Sequence, residues 1–394
     1  MTMTENNKPP KQPSMKDRVK STALNTQKLP SKGNILSPSM QTDLFNLPGH
    51  RMEGFANASM LAGLLPWFDH DNRRIVRSGD TPAKDLESRP VPFVVGDVSG
   101  SLTRSAAVIT GMHGPHKGKK IVRMNAEREC DVLEALSLIA THDDRSIGVF
   151  QGKATVHFSI SQIRGWTRDK YNSSEIQEAL HTLHGAPMKV IVSSGSKTIT
   201  YEESILTNYG TIDDTQLAST MGDQYESSHY CSFHPIITTA IAQLDMHQIN
   251  SSAIISSGSL MQRYLRRQLS LRWIQASEDN PYTILGTTIL KRYDYPSEVT
   301  KKGVTVKMLM RPVDGAFDKL MKGKDAIISR IEKETIKQTI GQTRRTRVTD
   351  FKYTIYPTQT FIDQQRRSLA LSREKSALAV KAEQLGLKPS EVSL

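Results

Sequence analysis

"TVHFSISQIRGWTRDKYNSSEIQEALHTLHG", residues Thr155 to Gly185, reads as two short helices broken by six polar or charged residues. Ser159 followed three positions later by Gln162 has the spacing of a capping box and starts a helix through Trp166. Asn172 followed by Glu175 repeats the signature. The helix after it sets Ile176, Ala179, Leu180 and Leu183 on one face and ends at Gly185. Arg168 and Lys170 stand at the break. "MKVIV", the turn "SSGSK" and "TITYEESILT" then follow as a two-stranded ribbon. Helix, turn, helix and hairpin is the order of a winged helix, although periodicity alone does not separate it from other α+β units.

Upstream, "VPFVVGDVSG", "AAVITGM" and "KKIVRM" read as strands, the last two joined in a hairpin by the Gly/Pro turn "HGPHKG". "AERECDVLEALSLIATH" places Val132, Leu136, Ile139 and Ala140 at helical spacing. Asn125 is its expected N-cap, with Glu127 and Glu129 in the first turn.

Downstream the same order recurs in outline. "GSLMQRYLRRQLSLRW" is a helix, "YTIL" a strand, "TTILKRYDY" a short helix and "VKMLMRPVDGAFDKLM" a longer one. "AIISRIEKETI" and "VTDFKYTIYP" are strands around the basic loop "KQTIGQTRRTR". In the second of them Phe351, Tyr353 and Ile355 alternate with Lys352, Thr354 and Tyr356, and Pro357 stops the run. The expected fold class is therefore α+β: two tandem winged-helix domains, 41–234 and 235–360. A disordered segment, 1–40, precedes them, and a polar helical tail, 361–394, follows. Lys, Pro, Ser, Thr, Asn and Gln dominate residues 1–40, a composition that cannot offset its ordering entropy.

The 394 residues carry a formal net charge of +12. From Leu290 to the end there are 22 Lys/Arg against 12 Asp/Glu, while residues 51–289 are close to neutral. A basic half beside a neutral one points to a polyanion partner, nucleic acid before membrane. No apolar run reaches the ~18 residues of a membrane span, and the N-terminus lacks a secretory apolar core. Cys130 and Cys231 are too few for a disulfide framework or a zinc site. The expected setting is cytoplasmic, with no cofactor.

Several pieces, in order, resemble the replication initiator proteins of iteron-carrying, theta-replicating plasmids, especially the TrfA-like and RepA-like group. They are "DLFNLPGHRM", the opening stretch with "APMKV", "SFHPIITTAI", "SLMQRYLRRQL" and "DFKYTIYPTQTFIDQQ". The match is patchy from about Gln41 to Gln365. The resemblance implies two winged helices related by pseudo-symmetry that bind directly repeated origin DNA. It also implies contact with the host initiator and replicative helicase, and homodimers that repress their own gene. The second domain would read bases, and the first would support backbone contacts and dimerisation. Pro312 lies inside the segment matching the second recognition helix, where an interior proline costs ~3 kcal/mol; a helix starting there would hold it at N1 instead.

Candidate contacts follow from charge and position. Lys337, Arg344, Arg345 and Arg347 form the basic loop between two strands, suited to phosphate neutralisation. Lys301, Lys302, Lys307 and Arg311 lie in or before the recognition helix, where Arg or Lys reaches guanine. Arg168 and Lys170 would touch phosphate at the first turn. Arg263, Arg266 and Arg267 read as surface residues of one long helix. Each group has a blander alternative as a solvated face. "GMHGPHKGKK" lacks the order of a phosphate loop, and His113 and His116 have no third metal ligand in view. Tyr209, Tyr225 and Tyr230 are nickase-type nucleophile candidates without the paired metal histidines. The expected function is origin binding and opening without catalysis. The rivals are a winged-helix transcriptional regulator and a nickase or primase.

Overall fold

The computed structural model describes residues 52–69, 87–143, 147–150, 153–211, 229–242, 246–295, 305–340 and 345–370. The N-terminal segment expected to be disordered and the tail beyond residue 370 lie outside the described residues, as do Lys301, Lys302, Tyr225 and Arg344.

The protein is α+β. Strand β1 (Phe55–Ser59) and helix α1 (Met60–Leu64) lead to β2 (Val91–Val95), β3 (Val98–Arg104), β4 (Ala107–Thr110), β5 (Lys120–Arg123) and the long α2 (Glu127–His142). Next come β6 (Ile147–Phe150), β7 (Lys153–Phe158), α3 (Ile160–Trp166), α4 (Ser173–Gly185), β8 (Pro187–Ser194), β9 (Lys197–Ser204), β10 (Leu206–Thr211) and β11 (His229–Phe233). The second half holds α5 (Pro235–Ala242), β12 (Met246–Asn250), α6 (Ser251–Ile255), α7 (Leu260–Arg272), β13 (Tyr282–Leu285) and α8 (Gly286–Arg292). Then follow α9 (Val306–Leu320), β14 (Ile328–Ile340), β15 (Arg345–Pro357) and a helix over 359–370.

Local chemistry sets the helix pair as read. The Ser159 hydroxyl accepts from the Gln162 amide at 3.2 Å, and the Gln162 side chain accepts from the Ser159 amide at 2.8 Å. Asn172 and Glu175 do the same at 2.9 and 3.0 Å. Each exchange satisfies two amides that a helix start leaves open. Ile176, Ala179, Leu180 and Leu183 are fully buried behind the second cap.

The start of α2 departs from expectation. Its N-cap is Ala126, which has no side-chain acceptor, and Asn125 is buried one residue outside. Glu129 closes the end alone by accepting from the Ala126 amide at 3.1 Å.

The ribbon β8–β9 is also not isolated. β3 pairs with β8, giving the sheet order β2–β3–β8–β9. Leu102 and Val190 lie opposite each other, both fully buried. Gly100 permits the approach, because a Cβ there would lie 1.9 Å from the Ile191 carbonyl oxygen. Element order thus repeats between the halves, but sheet pairing does not. β13, ahead of the second helix pair, joins the hairpin in the order β13–β15–β14, whereas β7 pairs with β6 and β11.

In the second half one expectation is corrected and one open alternative is decided. β14 and β15 extend into the segment read as a basic loop, with Ile340 opposite Arg345 and a bulge at Ile336/Lys337. Lys337, Arg345 and Arg347 are therefore strand residues near the hairpin tip. α9 starts at Val306, capped by Thr305, so Pro312 is interior rather than at N1.

Arg263 and Arg266 are buried, not on the surface. Arg263 bonds Asp131 of α2 at 2.8 Å and reaches Glu127 at 3.0 Å; Arg267 pairs with Glu134, also of α2. Packing of α7 near α2 brings these charges together, and the surrounding core draws hydrophobic residues from Ala56 to Phe361.

Candidate nucleic-acid interface

Helix α9 divides cleanly around its axis. Met310, Val313, Ala316, Phe317 and Leu320 are buried, with the Phe317 ring 5.1 Å from that of Tyr353. Lys307, Met308, Arg311 and Gly315 are exposed on the other side. Positions three and four apart share a helix face, so these four form one outward strip.

The first turns of the strip are cationic, with Asp314 held elsewhere, while the exposed Asp318 continues the same face one turn beyond Gly315. Both Asp314 carboxylate oxygens accept from Lys333 Nζ at 2.8 Å, and Oδ1 also accepts from the Tyr353 hydroxyl at 2.8 Å. Burial, reinforced by Asp314, pushes the Tyr353 phenol well above its ordinary range, so it remains a donor. Lys307 and Arg311 have no acidic partner among the described residues. The same three-residue contact ties the hairpin to the helix. Sequence reading passed over Asp314 and Lys333, because the contact joins positions 19 and 39 residues apart.

On the hairpin, charge is neutralised near the root and free near the tip. Lys352 lies 3.6 Å from Glu334, and Arg330 lies 3.4 Å from Glu332 with its guanidinium 3.8 Å over the Tyr356 ring. Lys337 and Arg347 are exposed and have no acidic partner among the described residues. Arg345 occupies a strand position directly opposite Ile340.

The first helix pair is arranged differently. Arg168 is exposed in the left-handed region, with φ 53, and Asp169 follows at φ 55. Two such residues in succession cost of order 1–3 kcal/mol each, a strain the surrounding contacts must hold. Asp169 pairs with Arg164 at 2.7 Å. Lys170, read as a phosphate contact, is engaged by Glu127 and Asp131 at 2.9 Å each. Asp131 also accepts from the Tyr171 hydroxyl at 2.8 Å. Lys170 thus closes the ion-pair cluster that includes Arg263.

The second helix of this pair, α4, is covered. Ala107 and Ile109 of β4 cluster with Ile121 of β5 and with Ala186 just past α4. Glu178 is buried and accepts from the Met112 amide at 2.6 Å and from Arg123 at 2.7 Å; Arg128 follows at 3.3 Å and His113 lies 2.9 Å away. Burial alone would push the Glu178 carboxyl up, but these donors and cations outweigh it and hold it below the ordinary range. The β4–β5 hairpin therefore lies on the helix that a simple winged helix would present. The described candidates separate into an outward strip and hairpin tip in the second half, and one exposed arginine with one engaged lysine in the first.

No helix of the described residues is long and apolar enough to cross a membrane. No protein-family model and no curated protein matches the chain. Among solved structures, a crystal structure of the Pi initiator protein in complex with iteron DNA is similar. Its TM-score is 0.38 at 12% sequence identity, covering 59% of this chain and 91% of that one.

Proposed function

We propose that this protein is a cytoplasmic plasmid replication initiator. In this reading it has two winged-helix domains, 41–234 and 235–360, and binds directly repeated origin sequences as double-stranded DNA. The observation that carries the reading is the outward face of α9. Its first turns carry Lys307 and Arg311, which have no acidic partner among the described residues, and it is joined through Asp314 to a hairpin that carries Lys337 and Arg347 near its tip. A helix that enters the major groove beside a hairpin that follows phosphates needs this arrangement.

The assignment of roles follows from the contrast between α9 and α4. α9 would reach base edges through Lys307 and Arg311, with Lys301 and Lys302 preceding it. Lys337, Arg344, Arg345 and Arg347 would neutralise phosphate. The covered α4 would leave the first domain to backbone contact through Arg168, with Lys170 available only if it leaves its carboxylates. Several bound copies would bend and open an adjacent A+T-rich tract using binding energy alone. The host initiator, the replicative helicase and a second copy of the chain are the proposed protein partners.

Against a nickase, half-burial of Tyr209 raises its phenol to about 12 and disfavours the nucleophilic phenolate at that one of the three candidate tyrosines. The deciding experiment places the gene with its flanking DNA on a circle that cannot otherwise replicate. Maintenance of the circle, lost in the Lys307→Ala/Arg311→Ala double variant, is the expected result. Binding to a single palindrome with no maintenance would favour a transcriptional regulator instead.

A further inference from the structure

The large hydrophobic side chains most exposed among the described residues are Val94, Val108, Leu285 and Met308. Only Met308 lies on α9, where it is 43% exposed although five other apolar residues of that helix are buried. It sits in the first turn, one residue after Lys307 and three before Arg311. Its amide is fixed by Thr305, whose backbone carbonyl accepts at 2.9 Å. On the same face Gly315 leaves open space, with no atom within 4 Å of where a Cβ would stand.

From this placement we infer that Met308 is a specificity-determining residue that packs on the C5-methyl group of a thymine beside the base pair read by Arg311. The inference rests on the DNA-reading role proposed above for α9. The two cations explain attraction to phosphate and to guanine acceptors, but neither explains an apolar side chain held in water between them. The major groove displays one apolar group, the thymine methyl, and the first turns of a recognition helix are the part that meets base edges. An unbranched thioether can adapt to that methyl without a fixed rotamer. Turning Asp314 to Lys333 and Tyr353 keeps a carboxylate away from the contact, and the bare Gly315 lets the helix approach closely. Met308 would thus supply an A·T preference that Lys307 and Arg311 do not.

The test begins with the full-length protein selecting duplexes from a random pool. Each thymine of the enriched sequence is then replaced by deoxyuridine, which removes only the methyl group. Wild type should lose about fourfold in affinity at one thymine, the equivalent of the roughly 0.8 kcal/mol of one buried methyl group. Met308→Ala should bind both duplexes equally, and Met308→Leu should keep a preference for thymine. An unchanged thymine-to-uracil ratio in Met308→Ala, or no effect of deoxyuridine in wild type, overturns the assignment while sequence-specific binding stands. Failure to enrich any sequence overturns both this inference and the DNA-reading role.

Discussion

Tyr353 donates a 2.8 Å hydrogen bond to Asp314, joining the last strand of the hairpin to the outward helix. Because Lys333 meets the same carboxylate, helix and hairpin are fixed relative to each other by side chains as well as by core packing. Tyr353→Phe should therefore destabilise the fold by about 1.5–3 kcal/mol, the range for a hydrogen bond to a charged group. Chemical denaturation with an unchanged m-value is the check. A change below about 0.5 kcal/mol would show that Lys333 alone orients Asp314.

Glu178 gives a pH signature. Its carboxyl is depressed in the folded chain, so it holds its charge to lower pH there than when unfolded. Its stabilising contribution is present above the ordinary value of 4.5 and is lost as pH falls below that, through the lower folded value. Glu178→Gln should reduce stability by roughly 1.5–3 kcal/mol at neutral pH and flatten the decline below pH 4.5. Urea titrations across that range measure it; an unchanged slope would remove Glu178 as the source.

The pair between Arg263 and Asp131 is buried on both sides. Arg263→Met leaves a buried carboxylate with only Lys170 and Tyr171 and should cost about 3–5 kcal/mol. Adding Asp131→Asn should recover part of the loss, since no buried charge is then left short of its main partner. Strict additivity of the two losses in a double-mutant cycle would contradict the coupling.

What the sequence made legible was local. Both capping boxes span three residues, and the alternation around Tyr353 is a strand's own period, so the helix pair and the last strand were readable. The pairing of β3 with β8 was not, because its determinant is Gly100 meeting a backbone nearly a hundred residues later. The burial of Arg263 was hidden for the same reason, as its partner lies 132 residues away. Within the candidate site, the cationic character of Lys307 and Arg311 was plain. That Lys170 belongs to an ion-pair cluster, and that Asp314 is turned from Arg311, depended on contacts between separate elements.

The two cationic groups of the second half should separate by salt dependence. Lys337→Ala and Arg347→Ala should weaken binding to repeat and scrambled duplexes alike, lowering the salt slope by about 1 for each phosphate no longer neutralised. Arg311→Ala should cost ~1–3 kcal/mol mainly on the repeat and relax preference at one base pair. Equal weakening of both duplexes by Arg311→Ala would reassign that residue to the backbone.

Pro312 removes an amide from the interior of α9 and crowds the Met308 carbonyl one turn earlier. Pro312→Ala should restore that hydrogen bond and raise stability by up to ~3 kcal/mol, read as a higher Tm. A lower Tm would mean that the proline ring itself is needed for the packing of Val313 and Phe317.

The division of α9 into a buried arc and an outward strip has a consequence for how recognition could change over time. Side chains that hold the helix in place and side chains that face outward are different residues, and none of Lys307, Met308 or Arg311 serves in both roles. If the strip reads DNA as proposed, substitutions in it would alter which sequence is preferred at almost no cost to folding, since exposed changes away from special features usually stay within about 0.5 kcal/mol. Under the role proposed above, two copies of this scaffold would diverge into mutually blind recognition systems by exchanging three or four surface letters, with the interior left untouched.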